Sequence, residues 1–587
     1  MKMKLIKTLA TIAIAIIAQL SVSQKLVILH TNDMHSMLTG FGPELAYTPM
    51  SINNDKTVGG FARLATLLKQ EKAKLPNSTL IFDAGDFLMG SIFHAGEQET
   101  GFQIPLMKKM GYDAITLGNH EFDYGPGALA KIIRSSIKTG KMPEIVSSNF
   151  IFSETSKADD ELEKLFKENI IKKYTIIEKN GLKIGIIGIM GEDADEVAPT
   201  AKPVTFAKQI KTVKKLTNKL KKEDKVDLVI CISHSGFYPD EKKGGYKGED
   251  IKMAKKIKNL DVIISGHTHV KTEKAINVNN TIIVQTGSYA RKLGRLELDV
   301  ENKKVKNFKF SLIPVNDKIM GDAEVNKLIN DYKELVSNKF FGPLGLSFSK
   351  PIAESNFNVN RNSYITKKPG KVGQFVTDAI KFYIDKHTDK IDFAIEASGP
   401  IRESILKGEI TPADIFRVSP LGSGYDDIPG YPLAKLYLTG KEIKGLMEVI
   451  VKTQGGVGTD SYLHYSGVKI DADIDGGFLK KVKKVYIDGK EIDISKKNEK
   501  LYSLAASTYI LSFIGRIKKI TMGLVKVTPK NAKGQEITDM GKQIIDFDKN
   551  KKGIQEGKTW IALVEYLNSF KDTDGDGLPD MPEKYKQ

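Results

Sequence analysis

The 587-residue chain contains one cysteine and one tryptophan. A lone cysteine cannot form a disulfide within the chain, and a zinc site built from four thiolates is excluded. Cys231 lies within the apolar run 228–232, which is typical of a small core residue rather than a nucleophile. Stability must therefore come from a large buried core and from bound metal ions, and a chain of this length can supply both.

Long apolar runs are absent beyond the start of the chain. The first residues are lysine-rich and residues 9–22 are apolar, but this run is shorter than the ~18 residues of a membrane-spanning helix. Small residues at Ser21 and Ser23 fit a cleavage site before Gln24. The pattern predicts a signal peptide over residues 1–23, with an uncleaved anchor as the alternative. We expect an exported bacterial protein, periplasmic, at the cell surface or secreted, without a membrane span in its mature form.

Acidic residues are outnumbered by basic ones, 72 to 89, which gives a formal charge of +17. Such an excess fits a nucleic acid, a membrane surface or a small anionic substrate. The lysine-rich stretch 208–222 has neither arginine runs nor interleaved aromatic residues, so we interpret it as a solvated face. We expect a small anionic substrate of the nucleotide type and no polymeric nucleic acid. The oligomeric state is not determined by the sequence.

Short apolar runs alternate with amphipathic helical stretches from residue 26 to about residue 314, which predicts a layered α/β domain with buried strands. Internal repeats are absent. We expect a first domain over 24–315, a linker helix within 316–340, a second α/β domain over 341–548 and a polar appendage over 549–587. The predicted strands of the first domain are 26–29, 79–82, 114–117, 183–189, 228–232, 262–264 and 281–285.

Polar loops follow five of these predicted strands, and they contain five of the nine histidines. Chance does not place histidine beside Asp, Asn and Gly after one strand end after another, and such strand ends are where layered α/β domains bind ligands. Asp, Asn and His together suit hard-to-borderline divalent ions of the Mn, Zn, Fe or Co type. The loops are Asp33-Met34-His35, Asp83-Ala84-Gly85-Asp86, Asn119-His120-Glu121-Phe122-Asp123, His234-Ser235-Gly236 and Gly266-His267-Thr268-His269.

Two divalent ions about 3.5–4 Å apart form a clamp for in-line displacement at phosphorus, and they lower the pKa of a bound water towards ~7. Such a site needs no protein nucleophile. The sequence therefore predicts a phosphohydrolase that acts by metal-hydroxide attack.

The strings in these loops resemble those of the calcineurin-like metallophosphoesterases. Over residues 26 to about 548 the chain resembles the bacterial and animal 5′-nucleotidase family, whose members include UDP-sugar hydrolases. The resemblance implies a four-layer β-sandwich flanked by helices, a linker helix and a second α/β domain that binds substrate. It also implies one metal ion held by Asp33, His35, Asp86 and His269, and another held by Asp86, Asn119, His234 and His267.

The same resemblance assigns roles to two residues beside the metal ligands. His120 matches the family histidine that stabilises the transition state without binding metal, and Asp123 would orient it. A metal-ligand role for His120 is the alternative.

The second half resembles the family less completely. Arg402, in Gly399-Pro400-Ile401-Arg402, is a candidate phosphate contact, and Tyr509 is a candidate for one of the two rings that sandwich the base in the family. Ala397 stands where the family has asparagine, and Leu421 where an aromatic ring is usual. The alternatives are therefore the same fold acting on 2′,3′-cyclic nucleotides or another phospho- or sulfur-ester, and a surface binding protein with a vestigial metal site.

A second metal motif lies near the C-terminus. Residues 572–583 have the D-x-D-x-D-G core and the spacing by which an EF-hand-type loop wraps calcium. Pro579 and Pro582 disfavour the regular helix that would leave a complete EF-hand. We expect a structural calcium ion here, and an acidic disordered tail is the alternative. The predicted ligands are Asp572, Asp574, Asp576, the Leu578 backbone, Asp580 and Glu583.

Overall fold

The computed structural model describes residues 23–192, 194, 198–362, 370–426, 428–453, 462–477, 479–495, 498–511, 525–537 and 539–587. Except for Ser23, the predicted signal peptide lies outside these residues. Within the described ranges, no helix combines the length and apolar character needed to cross a bilayer.

Two sheets form the first domain, and each follows from strands that are apolar on both faces. In the strand Gln24–Thr31, Leu26 and Ile28 point between the two sheets, whereas Val27 and Leu29 point outward towards helices. Burial on both faces is what parallel strands require. The first sheet, in spatial order, contains Lys304–Pro314, Lys292–Glu301, Gln24–Thr31, Thr79–Asp83, Ala114–Ile115, Glu144–Val146 and Ile171–Lys172.

The second sheet faces the first and is parallel in its centre. Leu228, Ile230 and Ile232 point to the shared interior, and Val229 and Cys231 point to an outer helical layer, so the predicted core position of Cys231 is confirmed. Its strands, in spatial order, are Ile276–Val278, Thr281–Val284, Val262–Ser265, Leu228–His234, Leu182–Met190 and Tyr174–Lys179. Two small antiparallel sheets pair Phe237–Pro239 with Tyr246–Gly248 and Phe150–Ile151 with Thr205–Phe206.

Helices cover the outer face of each sheet, which completes four layers and confirms the predicted fold class. Asn180 and Gly181 form a tight hairpin turn with both residues at positive φ. The helices of this domain are Phe61–Lys74, Glu97–Thr100, Gln103–Met110, Gly125–Thr139, Asp160–Lys167, Gln209–Lys222 and Glu249–Lys256, with 3-10 turns at Pro76–Ser78, Ile92–Gly96, Asn119–Phe122 and Pro199–Ala201.

The linker helix runs over Ala323–Val336, and its N-terminus is capped by Asp322, whose side chain accepts a hydrogen bond from Val325 N. The second domain is a mixed α/β unit. One of its sheets contains, in spatial order, the strands Leu433–Thr439, Leu501–Ser507, Phe393–Ala397 and Leu463–Ser466. Another contains Val468–Ala472, Val482–Ile487 and Lys490–Glu491, and a two-stranded sheet pairs Ala353–Ser355 with Gly408–Ile410. Its helices are Val372–His387, Pro412–Val418, Gly440–Thr453 and Thr559–Leu567, with shorter helical turns at Ser337–Phe341, Gly342–Leu344, Met540–Gln543 and Glu583–Tyr585.

The C-terminal segment, predicted as a polar appendage, contributes to the core of the second domain. The helix Thr559–Leu567 packs on Val372–His387, and Trp560 is fully buried. Its indole Nε1 donates to the Pro429 carbonyl at 2.8 Å, and its ring packs edge-on against Phe341. One apolar helix within a charged segment therefore anchors the chain end.

Candidate metal centre

The five polar loops converge at one end of the sandwich, because the parallel strands of both sheets end there. Asp83 ends a strand of the first sheet, and His234 and Ser265 end strands of the second. Asp83 is buried and accepts hydrogen bonds from Thr31 Oγ1 and Gly85 N, and burial raises its pKa to about 7. These contacts fix the turn that carries Asp86.

A first group of possible ligands contains Asp33, His35 and His269, whose ligand atoms all lie within 4.8 Å of one another. Nε2 of His35 lies 3.0 Å from Nε2 of His269, which in turn lies 3.4 Å from Oδ1 of Asp33. Asp33 and His35 are fully buried, and the side chain of His269 is 27% exposed. The three residues come from two distant loops, as predicted.

A second group contains Asp86, His234 and His267, again within 4.8 Å. Nε2 of His234 lies 3.0 Å from Oδ2 of Asp86 and 3.1 Å from Oδ1 of Asn119. The same Asn119 oxygen lies 2.9 Å from Nδ1 of His267. The two groups are adjacent, since His267 N donates to the Asp33 carboxylate at 3.0 Å. All seven predicted ligands are therefore brought together.

Backbone carbonyls orient the rings of His35 and His234 by accepting a hydrogen bond from Nδ1, the ring nitrogen that faces away from the centre. Nδ1 of His35 donates to Met89 O at 2.9 Å, and Nδ1 of His234 donates to Ala84 O at 2.7 Å. With the proton on Nδ1, each Nε2 presents a lone pair to the centre, which is how metal-binding histidines are held. Imidazole lone pairs and carboxylates facing one another at 3.0–3.4 Å fit divalent cations.

The backbone of these loops is strained. Five of the seven candidate ligands have positive φ, a conformation that costs about 1–3 kcal/mol per non-glycine residue. Such strain persists where surrounding structure imposes it, and it concentrates at functional sites. The five are Asp33, His35, Asp86, His267 and His269.

Glycines allow the loops to approach one another. A Cβ on Gly118 would lie 2.2 Å from Oδ1 of Asp86, and one on Gly85 would lie 2.7 Å from Gly118 N. Gly85 also has a φ of 85°. A side chain there is therefore disfavoured both by the contact with Gly118 and by the left-handed backbone conformation. Gly85 and Gly118 are thus required for the close packing of the ligands.

Two structural residues of the site have no role in the sequence-based prediction. The buried carboxylate of Glu121 accepts hydrogen bonds from Asp86 N at 3.0 Å, Leu88 N at 2.9 Å and Gly118 N at 2.5 Å. Asn32 donates to Asp33 Oδ2 at 2.6 Å. Both residues lie within motifs of the sequence, but only the folded loops reveal which backbone groups they hold.

His120 lies beside the first group, with its ring centroid 5.2 Å from that of His35. Its Nδ1 is 2.7 Å from Oδ2 of Asp123, and its backbone N donates to Oδ1 of Asp86 at 2.9 Å. Burial acts to lower the pKa of His120, but the Asp123 and Asp86 carboxylates outweigh it and raise the pKa above its ordinary value. The predicted His120–Asp123 pair is present, with Nδ1 engaged and the ring held against the centre.

Arg402 of the second domain faces the same centre. Its positive charge acts to lower the pKa of both His35 and His120, as a nearby cation must. Its position is fixed by its backbone N, which donates to Val418 O at 2.9 Å, and by Arg361, whose guanidinium donates to Arg402 O. Arg361 has no role in the sequence-based prediction. It is a second cation close to the metal centre, since its charge, like that of Arg402, acts on Tyr289.

Tyr509 has an aromatic neighbour that the sequence-based prediction does not include. Its ring centroid lies 5.5 Å from that of Tyr431, with the planes tilted by 49°. Burial raises the pKa of Tyr431 well above its usual range, and the Asp123 carboxylate adds to the rise. Tyr431 therefore lies near Asp123 of the first domain, and its ring packs against Gly422, the residue after Leu421, where the family ring was expected.

The C-terminal acidic loop forms two overlapping groups: Asp572, Asp574 and Asp576, and Glu354, Asp574 and Asp580. Glu354 belongs to the strand Ala353–Ser355, and its backbone N donates to Pro579 O at 2.9 Å. Glu583 lies in the following 3-10 turn, where its carboxylate pairs with Lys586 at 3.1 Å. Leu578 N donates to Oδ1 of Asp576 at 2.8 Å.

Two family profiles match the chain. Residues 26–271 match the calcineurin-like phosphoesterase profile, and residues 351–517 match the 5′-nucleotidase C-terminal domain. The matched segments contain all seven candidate ligands, His120, Asp123, Arg402 and Tyr509.

Known proteins resemble the chain along most of its length. The 5′-nucleotidase of Vibrio vulnificus is 26% identical over 80% of this chain and 82% of that protein. The trifunctional nucleotide phosphoesterase protein YfkN of Bacillus subtilis is 27% identical over 72% of this chain, which spans only 27% of that longer protein.

Among solved structures, the 5′-nucleotidase precursor from Thermus thermophilus superposes with a TM-score of 0.67 at 20% identity, covering 93% of this chain and 96% of that one. This likeness shows that both domains share its fold. The chain is a metal-dependent phosphoester hydrolase, and it belongs to the 5′-nucleotidase family, with a calcineurin-like phosphoesterase domain followed by a 5′-nucleotidase C-terminal domain.

Proposed function

We propose that this chain is an exported dinuclear-metal phosphohydrolase that cleaves phosphate esters of nucleotides. The observation that carries the proposal is the convergence of two ligand groups beside the His120–Asp123 pair, with the hydrogen bond from His267 N to the Asp33 carboxylate linking one group to the other. The names of the relatives support a nucleotide substrate.

The residues would divide between two ions as the family resemblance implies. When bound, the ions would acidify a water and neutralise charge on the phosphoryl oxygens. The carboxylate of Asp86 would be shared, since its Oδ2 lies 3.0 Å from His234 Nε2 and its charge also acts on the His35 ring of the first group. One ion would take Asp33, His35, Asp86 and His269, and the other Asp86, Asn119, His234 and His267.

His120 supplies the proton chemistry that the protein itself contributes. Because Asp123 accepts from Nδ1, the ring is fixed and favours its protonated form, so Nε2–H is free to donate to the oxygen that gains charge as the ester bond breaks. The fully buried Asp33 and His35 beside it keep the surroundings poor in water, which strengthens that interaction.

Arg402 and the tyrosine pair would hold the substrate. The Arg402 guanidinium can bind a phosphate oxygen opposite the metal centre. A base can stack between two rings only if the ring centroids lie about 7 Å apart. The ring centroids of Tyr431 and Tyr509 lie 5.5 Å apart, which leaves no room for a base between them. A base would therefore stack on one outer face of this pair rather than between the two rings.

A second candidate keeps the fold and changes the ester. The departures at Ala397 and Leu421, together with a relative named as a trifunctional nucleotide phosphoesterase, favour 2′,3′-cyclic nucleotides or another phospho- or sulfur-ester. The metal chemistry is the same for either substrate, so only the second domain distinguishes the two.

The C-terminal loop would bind a structural calcium ion. Its acidic side chains lie on both sides of the junction between the chain end and the strand containing Glu354, so an ion there would fasten the C-terminal segment to the second domain. In the bound state Glu354 would replace the predicted Glu583, because Glu583 pairs with Lys586 instead.

A substrate panel tests the proposal. The purified mature chain, reconstituted with Mn²⁺, is assayed on AMP, UDP-glucose, 2′,3′-cyclic AMP and bis(4-nitrophenyl) phosphate. We expect release of phosphate or a nucleoside monophosphate from AMP or UDP-glucose. Turnover of the cyclic nucleotide or diester alone would favour the second candidate. A protein that binds no transition metal and hydrolyses none of the four would be a binding protein, contrary to the proposal.

A further inference from the structure

Two helices of the first domain form a lysine-rich outer layer. The helix Gln209–Lys222 contains six lysines and no acidic residue, and Glu249–Lys256 lies against it on the same sheet. Helical spacing places Lys211, Lys215 and Lys222 opposite the buried Val213 and Leu220. The resulting lysine face consists of exposed Lys208, Lys211, Lys214, Lys215, Lys222, Lys225, Lys252, Lys255, Lys256 and Lys258.

Three of the acidic residues near this face are already paired with other lysines, and Glu249 accepts hydrogen bonds from Gln209 Nε2 at 2.7 Å and Glu192 N at 3.1 Å. Glu223 and Asp224 each lie 3.3 Å from Lys219, and Asp261 lies 3.2 Å from Lys221. In the described part of the chain, none of the ten lysines of the face forms an ion pair. The positive charge of the face is therefore not neutralised within the protein.

The lysine face also remains accessible when both domains are in place. The linker helix Ala323–Val336 packs on Phe61–Lys74 and on the turn Ile92–Gly96, and the helix Pro412–Val418 contacts the same turn. These contacts all lie on the helical layer of the first sheet, whereas the lysine face lies on the layer of the second sheet. The second domain thus leaves the face uncovered.

We propose that the lysine face binds an anionic phospholipid surface and brings the enzyme to a membrane. Two adjacent helices present a broad, exposed, lysine-rich surface, which fits an extended layer of headgroups. Lysine ammonium groups act as point charges and are attracted to an anionic leaflet. Nucleic acids are bound through arginine forks and aromatic stacking platforms, and residues 208–225 contain neither arginine nor an aromatic residue.

Vesicle co-sedimentation with the mature chain tests the proposal. The vesicles contain phosphatidylcholine alone or mixed with phosphatidylglycerol, at ~0.1 M and ~0.5 M salt. We expect binding only to the anionic vesicles and only at low salt. A variant with Lys211→Gln, Lys215→Gln, Lys252→Gln and Lys256→Gln should bind at least about tenfold more weakly.

A matched variant removes the same charge from the second domain, through Lys469→Gln, Lys490→Gln, Lys533→Gln and Lys552→Gln. These lysines are exposed, and this variant should bind within about twofold of the natural chain. Equal losses in the two variants, equal binding to neutral vesicles, or no vesicle binding at all would overturn the proposal. Tighter binding of single-stranded DNA than of anionic vesicles at matched salt would overturn it as well. Matching circular dichroism spectra and thermal unfolding midpoints confirm that all three proteins are folded, whatever their substrate.

Discussion

Oδ2 of Asp86 lies 3.0 Å from Nε2 of His234, and this contact joins the two sheets of the first domain. Asp86 follows the first-sheet strand Thr79–Asp83, and His234 ends the second-sheet strand Leu228–His234. Neither residue can hold an ion alone, so the site exists only where the two strand ends meet.

Replacing Asp86 by asparagine should remove the shared ligand while leaving the loop intact, because its backbone N still donates to Glu121. We expect hydrolysis of AMP or UDP-glucose to fall by about 10³-fold or more, since several kcal/mol of charge stabilisation is lost. Metal analysis should show fewer than two ions per chain. Asp299→Asn, at an exposed pair with Lys25, is the matched control and should retain both ions. Full activity of Asp86→Asn would contradict the assignment.

His120 and Asp123 should differ in the size of their effects. His120→Asn removes the proton donor and should lower kcat by about 10²–10⁴-fold with metal content unchanged. Asp123→Asn leaves the ring in place but removes the carboxylate 2.7 Å from Nδ1, and it should cost about 10–100-fold. Loss of a metal ion in His120→Asn would instead show that His120 is a ligand.

Arg402→Ala tests the contribution of the second domain to substrate binding. Loss of a charge-assisted contact to phosphate should lower kcat/KM by about 10–100-fold without changing metal content. Arg134→Ala, at an exposed pair with Glu168, removes the same charge far from the centre and should have no effect. Equal activity of Arg402→Ala and the natural chain would exclude a phosphate contact.

The buried pair of Asp55 and Arg63 should stabilise the first domain. Arg63 Nη2 lies 2.7 Å from Asp55 Oδ2, and both side chains are buried. Asp55→Asn leaves a buried guanidinium without its counter-charge, so the free energy of unfolding should fall by about 3–5 kcal/mol in urea denaturation. The exposed-pair variant Asp299→Asn should change it by less than about 1 kcal/mol.

The same pair predicts a pH dependence. Burial acts to raise the pKa of Asp55, but hydrogen bonds from Arg63, Thr48 and Thr57 lower it to about 2, below its ordinary 3.8. The charged form therefore stabilises the fold at pH above about 4, and this contribution disappears as the pH falls towards 2. The stability difference between the natural chain and Asp55→Asn should shrink over that window; a constant difference would contradict the assignment.

Calcium should stabilise the second domain through the C-terminal loop. At a free concentration 100 times Kd, binding to the folded state alone adds about 2.7 kcal/mol to the free energy of unfolding. In Mn²⁺-loaded protein, Asp574→Asn should abolish this gain and Glu354→Gln should weaken binding. Glu583→Gln should leave binding intact. Titration calorimetry measures the calcium affinity of each variant. A greater loss of affinity in Glu583→Gln than in Glu354→Gln would show that Glu583 is the ligand, as the sequence predicts.

Much of the first domain could be predicted from sequence, because its strands are short apolar runs that end in polar loops. The predicted runs 228–232 and 262–264 differ from the observed strands by only one or two residues at an end. The C-terminal helix was not predicted, because the charged residues around Trp560 obscure a nine-residue apolar segment. Tyr431 was missed for a different reason: it lies outside the motif in which the family places its ring.

By itself, the sequence determined the identity of the metal-type side chains and their positions after buried strands, since residue type and local periodicity are properties of neighbouring residues. Tertiary structure alone decided that Asn119 lies between His234 and His267, that Glu121 holds three backbone amides, and that Glu354 faces the C-terminal loop. These contacts join segments that are distant along the chain, and no local pattern encodes a distance between strand ends.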